Sequence, residues 1–263
     1  MKVITVANQK GGVAKTTTVA NLAVAFNRID RNLKILVVDV DPQCNLTSIF
    51  AKKEVDYEKT VVKLFESKIY KQPTREIIHL TRFQNVHLLA SHSSLSDKVY
   101  LAADLMKPHD RLLYFLKSTH YDVVLVDTPP SLGLFSLNGL IASDYVLAVT
   151  ELEKFSINGL EALFGTIESI KDVMDGKPEL LGTLPVMVDM RTKVHNYYMK
   201  KLPAITSLNF LDKYAINTNA ALATAIEKKQ TIFEYDASAK SKHQYRALGE
   251  WMLDVVLDVE EKA

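Results

Sequence analysis

Cysteine is nearly absent: Cys44 stands alone among 263 residues, so no intramolecular disulfide can form, and the chain suits a reducing compartment. At this length, with 48% hydrophobic residues, a core can be built without such a staple. No apolar run reaches the roughly 20 residues that span a bilayer, which argues against an integral membrane protein. The sequence opens on a short strand-like run and shows no signal-peptide pattern. Net charge is only +1, so overall charge does not mark a nucleic-acid binder. The seven histidines show no metal-ligand spacing. There is no low-complexity tract, long linker or internal repeat, and the break at Lys177-Pro178 reads as a loop. One soluble domain over residues 1–263 is expected.

Glycine is missing where a strict phosphate loop needs it. In the pattern G-x-x-x-x-G-K-[ST], Gln9 and Ala14 occupy the two glycine positions. What is present is Lys10-Gly11-Gly12-Val13-Ala14-Lys15-Thr16-Thr17, with a lysine at its head as well as at its end. An apolar run, Val3–Ala7, precedes it and a helical pattern follows. Strand, glycine turn and helix N-terminus together aim backbone N–H groups at an anion. Lys15 is placed to reach the outer phosphates of a nucleotide, and the Thr16 hydroxyl to ligate Mg²⁺.

Two further apolar runs end in acids. Ile35-Leu36-Val37-Val38-Asp39-Val40-Asp41-Pro42 and Tyr121-Asp122-Val123-Val124-Leu125-Val126-Asp127-Thr128 lack alternation, as parallel strands buried on both faces do. Their acids fall at C-terminal strand ends, where open α/β sheets bind ligands. An acid there is what an Mg²⁺ site on a nucleotide requires. Strands are expected over 3–7, 34–40, 86–90, 121–127, 145–150, 180–188 and 211–216. Helices are expected over 15–29, 59–70, 104–118, 157–174, 194–201, 219–227 and 241–259. The alternation implies an α/β fold with a doubly wound, mainly parallel sheet and helices on both faces.

Asn8–Thr17, Asp39-Val40-Asp41-Pro42-Gln43 and Asp127-Thr128-Pro129-Pro130 resemble the nucleotide motifs of the ParA/MinD family of deviant Walker A ATPases. Tyr145–Thr150 followed by Phe155–Leu160 is similar to that family's fifth strand and next helix. The resemblance is greatest to short partition ATPases of the ParA/Soj type, which implies no separate DNA-binding domain before the phosphate loop. It implies a P-loop fold, ATP and Mg²⁺ as ligands, and slow, partner-stimulated hydrolysis. In that family the head lysine, here Lys10, reaches across a homodimer to the partner's phosphates. The second acid, here Asp41, positions the attacking water. Asp127 supports Mg²⁺ through water, as does Asp39 or Asp41. Lys10, Lys15 and Asp41 are thus the implied catalytic residues. Residues 10–17 form the nucleotide loop, and the loops near Asp189-Met190-Arg191 and Asn217 the adenine contacts. Cys44 replaces a frequent glycine and is expected to be half-buried or buried.

Charge is uneven. Residues 191–246 hold ten basic and four acidic side chains, against a net −5 in the remainder. Such a segment is either a set of solvated helix faces or a surface for phosphate backbone. The resemblance places ATP-dependent, nonspecific binding of double-stranded DNA here, with Lys213, Lys240, Lys242 and Arg246 as candidates. It implies a cytoplasmic, nucleoid-associated protein released by a ParB-like adaptor that stimulates hydrolysis. Two alternatives remain: a MinD-like membrane-associated ATPase, or a ParA-like ATPase positioning a protein cargo. The membrane reading needs a basic amphipathic C-terminal helix. Leu248, Trp251, Met252, Val255, Val256 and Val259 do share helical spacing, yet Glu250, Asp254 and Asp258 line the polar face, so docking onto the domain is expected. An iron–sulfur relative would need more cysteines, a dethiobiotin-synthetase-like ligase would lack Lys10, and a tyrosine-kinase relative would end in a tyrosine cluster.

Overall fold

The computed structural model describes residues 1–66, 75–101 and 107–257. In chain order the elements begin with β1 (Lys2–Ala7), α1 (Lys15–Ile29), β2 (Ile35–Asp39) and α2 (Asn45–Phe50). Then come β3 (Ile78–Leu80), β4 (Val86–Leu89), α3 (Lys98–Leu101), α4 (Arg111–Lys117), β5 (Val123–Asp127) and α5 (Leu134–Ala142). The order closes with β6 (Tyr145–Thr150), α6 (Lys154–Lys171), β7 (Glu179–Pro185), α7 (Lys193–Lys201), α8 (Ala220–Glu227), α9 (Ile232–Tyr235) and α10 (Lys240–Leu257).

The strands form one sheet in the order β3-β4-β2-β5-β1-β6-β7, parallel except for β3, which runs antiparallel at one edge. β2 and β5 are buried along their whole length, because helices cover both faces of the sheet and leave no solvent side for polar alternation. Their register sets Asp39 opposite Asp127, and β1 aligns Val6 with the same Asp127. Three strand ends thereby bring their C-terminal residues to one point beneath the loop that leaves β1.

One face packs on α1 and α10, the other on α4, α5 and the turn at Val61–Phe65. Leu248, Met252 and Val256, one helical turn apart, are fully buried on α10. Gly249 allows the close crossing: a Cβ there would lie 3.2 Å from Ala25 and from Ile29 on α1. Trp251 stacks on Tyr214 at 5.0 Å. The apolar stripe of the C-terminal helix is therefore spent inside the fold; Val259 and Asp258 lie outside the described residues.

Several local expectations change. Residues 211–216 do not form a strand. Asp212–Tyr214 is a single 3₁₀ turn, and only isolated bridges, Thr183 with Phe210 and Val188 with Asn217, tie this stretch to the sheet. β7 ends at Pro185, short of the expected 188, so no regular ladder continues past it. The expected helical region 59–70 is two 3₁₀ turns, Tyr57–Lys59 and Val61–Phe65, with residues 67–70 outside the described ones. The expected helix at 104–118 begins at Arg111 among the described residues. β3, α2, α3, α5 and α9 add to the expected elements; these helices are short, and β3 has only three residues.

Candidate nucleotide site

The loop between β1 and α1 turns on two residues with left-handed backbone. Gly12 has φ 78°, and Ala14, immediately before α1, has φ 54°. The second value explains why glycine suits that position: alanine's Cβ is disfavoured there by about 1–2 kcal/mol. The loop nevertheless closes onto α1, with the Ala14 carbonyl accepting the Thr18 N–H at 2.9 Å. Cys44 repeats the device at φ 57° directly before α2. It is half-buried, its thiol donates to the Pro42 carbonyl at 3.3 Å, and burial pushes its pKa up to about 11.

The sequence-predicted residues meet here. A hollow of about 410 Å³ is lined by Gly11–Thr17, Asp41 and Gln43, among others. The Lys15 ammonium donates to the Lys10 carbonyl at 2.9 Å. Burial lowers its pKa, against the opposing pull of Asp127 and Asp41. The Thr16 hydroxyl donates to Asp127 Oδ2 at 2.6 Å. Asp127 Oδ1 is buried and has no hydrogen-bond partner among the described residues. Burial, and then the neighbouring charge of Asp39, raises the Asp127 carboxyl well above its ordinary value.

The two acids of the β2 end separate by environment. Asp39 Oδ1 accepts the Asp41 N–H at 3.0 Å, while Oδ2 accepts both the N–H and the hydroxyl of Thr47 at 2.8 and 2.7 Å. Burial still raises it to about 7. Asp39 thus knits the turn to α2. Asp41 accepts the Gln43 N–H at 2.9 Å and lines the hollow.

These residues fit a magnesium ion. An orphaned buried carboxylate oxygen beside a hydroxyl, in a crowd of acids, lacks only a cation. Among the described residues no three His, Cys, Asp or Glu side chains form a ready cage, and Mg²⁺ ordinarily keeps several waters and takes few protein ligands.

Lys10 takes a different course. Its ammonium lies 2.5 Å from Glu151 Oε2 and 2.9 Å from Glu153 Oε2. Hydrogen bonding to Glu151 is the largest influence on it and raises its pKa.

Beside the hollow, past Ala14 and Thr17, opens a mostly apolar cavity of about 370 Å³. Met187, Ile216, Leu222, Ile226 and the buried ring of Tyr245 line it, with Asn217 at its polar edge. Of the expected adenine loops, 217 reaches this cavity. Asp189, Met190 and Arg191 do not line it; the Asp189 carboxylate instead accepts from Arg191, two residues on, at 2.7–2.8 Å. Sequence reasoning expected a helix at 219–227 but gave no site role to it, to Met187 or to Tyr245.

The candidate DNA residues scatter in character. Lys213 and Lys240 are exposed. Lys242 donates to the Ala237 carbonyl at 2.9 Å, and Arg246 pairs with Glu250 at 2.9 Å.

A central parallel sheet, a two-lysine phosphate loop and acids at two neighbouring strand ends define a P-loop ATPase. Comparison with known proteins agrees: residues 1–180 match a family model described as an AAA domain. The chromosome-partitioning ATPase Soj of Thermus thermophilus is 33% identical over 94% of this chain and 93% of its own length. Apo McdA of Cyanothece shares the fold, with a TM-score of 0.82 at 20% identity over 96% of this chain and 99% of that one. Cobyrinic acid a,c-diamide synthase of Mycobacterium smegmatis, bound to an ATP analogue and magnesium, gives 0.75 at 26% identity over 97% and 95%. The chain belongs to the ParA/MinD family of deviant Walker A ATPases.

Proposed function

We propose that this protein is a partition ATPase: an ATP-sandwich dimer that binds DNA without reading sequence and is released on hydrolysis stimulated by a ParB-like partner. The carrying observation is the second lysine of the loop. Lys15 is sunk in the phosphate hollow, while Lys10 sits at its rim on a part-exposed side chain. One cation serves the chain's own nucleotide; the other, held outside the hollow by Glu151 and Glu153, serves a neighbour's once it exchanges those contacts. Relatedness to a protein named for chromosome partitioning, across nearly the full chain, supports the same reading.

Phosphoryl transfer is accelerated mainly by position and by neutralising charge on the transferred group. The backbone N–H groups of residues 11–16 and the Lys15 ammonium hold the phosphates. Thr16 and Asp127 would hold Mg²⁺, Asp127 through water; the ion would supply charge neutralisation between the outer phosphates. Asp41 orients the attacking water, since both oxygens of Asp39 are already engaged. Lys10 from the second subunit completes the charge balance, so ATP joins the subunits and loss of the γ-phosphate separates them. The apolar cavity beside Thr17 takes the base. Lys213 and Lys240, with Lys242 and Arg246 after exchange of their own-chain contacts, face DNA phosphates.

Binding to random-sequence duplex DNA tests this, measured with ATP–Mg²⁺ and with ADP–Mg²⁺ at two salt concentrations. Tight, salt-sensitive binding with ATP alone is expected. Equal binding in both nucleotide states, or none in either, would remove DNA from the proposal.

A further inference from the structure

The rim lysine is held by two acids of its own chain, and the fold builds that arrangement. Asn8, buried at the exit of β1, donates its amide to the Val149 carbonyl on β6 at 2.5 Å and accepts the Lys10 N–H at 2.9 Å. This cross-link seats Lys10 beside the end of β6. Glu151 follows that strand, and Glu153 is the residue before α6, its N–H bonded to the Glu151 carbonyl at 3.0 Å. Lys10 and Glu151 are one-third and one-fifth exposed; Glu153 is more than half exposed. One ammonium therefore faces two carboxylates, a locally acidic group.

We infer that Glu151 and Glu153 are positioning residues that hold Lys10 on its own subunit, so that the partner's γ-phosphate must win the ammonium away from them. The inference rests on the reading of Lys10 as the cross-subunit cation. Its consequence is a threshold on dimerisation. Lys10 cannot leave for a phosphate in trans without breaking both contacts, so an isolated chain keeps its cation satisfied and a weak ligand at the partner's site does not recruit it. The more buried Glu151 dominates, because the exposed Glu153 contact is screened by water.

Dimer dissociation constants measured by sedimentation velocity, with a non-hydrolysable ATP analogue and Mg²⁺, test the latch. Because two latches open per dimer, Glu151→Gln should tighten the dimer about fivefold, the middle of the range for a part-exposed ion pair, and Glu153→Gln should tighten it less. Lys10→Ala should weaken it, and Glu151→Gln should then have no effect in the Lys10→Ala background. An unchanged or weaker dimer in Glu151→Gln, with a wild-type melting curve, overturns the latch while a weak Lys10→Ala dimer leaves the cross-subunit lysine standing. Equal tightening with and without Lys10 also overturns it, because simple repulsion of phosphate by Glu151 would then account for the effect. A Lys10→Ala dimer as strong as wild type overturns the reading beneath the latch, and the latch with it.

Discussion

Around the phosphate hollow the working side chains come from one loop and two strand ends, all within the first 127 residues. Around the adjoining apolar cavity they come mainly from the exit of β7, the segment at 216–219, α8 and α10, while Ala14, Thr17, Met187 and Ile226 border both. The first half is electrostatic: a buried lysine, three acids and a hydroxyl, with an unpartnered carboxylate oxygen. The second is held mainly by packing, with Ser241 and Gln244 of α10 fastening the 215–219 segment through side-chain hydrogen bonds of 2.7–3.3 Å. Charge demands particular residue types at fixed spacing, whereas packing accepts many sequences of the right volume. Substitutions in the two halves should therefore fail differently.

The largest effect is expected from Lys15→Ala. Loss of a buried cation aimed at phosphate should weaken nucleotide binding at least 100-fold, about 3 kcal/mol for a charge-assisted contact, by isothermal titration calorimetry. Folding should change little, since burial already lowers the lysine's pKa and its one hydrogen bond is to its own loop.

Asp127→Asn should separate stability from function. The Asp127 carboxyl is raised by burial and by Asp39, so its ionised form costs the unliganded fold free energy. A carboxyl whose folded pKa is raised stabilises the fold below its unfolded value, near 4, and loses that contribution as pH rises through the folded one. Unliganded stability should thus fall as pH rises above about 4. Asparagine should flatten that fall and raise the melting temperature at pH 7.5 by about 2–4 °C, roughly 1 kcal/mol. Magnesium-dependent nucleotide affinity should drop at the same time. A lower melting temperature would show that the acid cluster stabilises the unliganded fold.

How much of this was legible in the sequence follows the same division. Lys10, Lys15, Thr16, Asp39, Asp41 and Asp127 could be read because strand-end acids and a loop lysine have a local signature, and the parallel register then brings them together. The doubly wound sheet was readable from unalternating apolar runs. The cavity beside Thr17 was not, since Tyr245 and Ile226 look like any core residues until α10 is packed on α1. The stretch at 211–216 read as a strand from its apolar residues, but Pro185 had already ended the neighbouring ladder. Nor could spacing show that Glu151 and Glu153 close on Lys10, because that contact crosses about 140 residues.

Ala14→Gly is a smaller test on the phosphate side. Relief of a left-handed alanine should gain about 1–2 kcal/mol and glycine's extra unfolded-state freedom should cancel about half of it. The net gain should be under about 1 kcal/mol by urea unfolding. Cys44→Gly, at nearly the same backbone angles before α2, should behave alike. Destabilisation at both positions would mean that side-chain packing there outweighs the backbone strain.

The smallest effect on nucleotide affinity is expected in the packed half. The Tyr245 hydroxyl lies 3.3 Å from that of Thr18, a long contact between two buried groups. Tyr245→Phe keeps the ring against the cavity and removes only this contact. It should cost no more than about 1 kcal/mol in urea unfolding and should shift nucleotide affinity less than about threefold. Tyr245→Ala empties a fully buried ring site between α1 and α10 and should cost about 3–5 kcal/mol. A wide gap between the two variants is what packing predicts. If the phenylalanine variant instead lost as much affinity as a phosphate-side substitution, the hydroxyl would be relaying charge or position from the loop. The base half would then be as electrostatic as its neighbour.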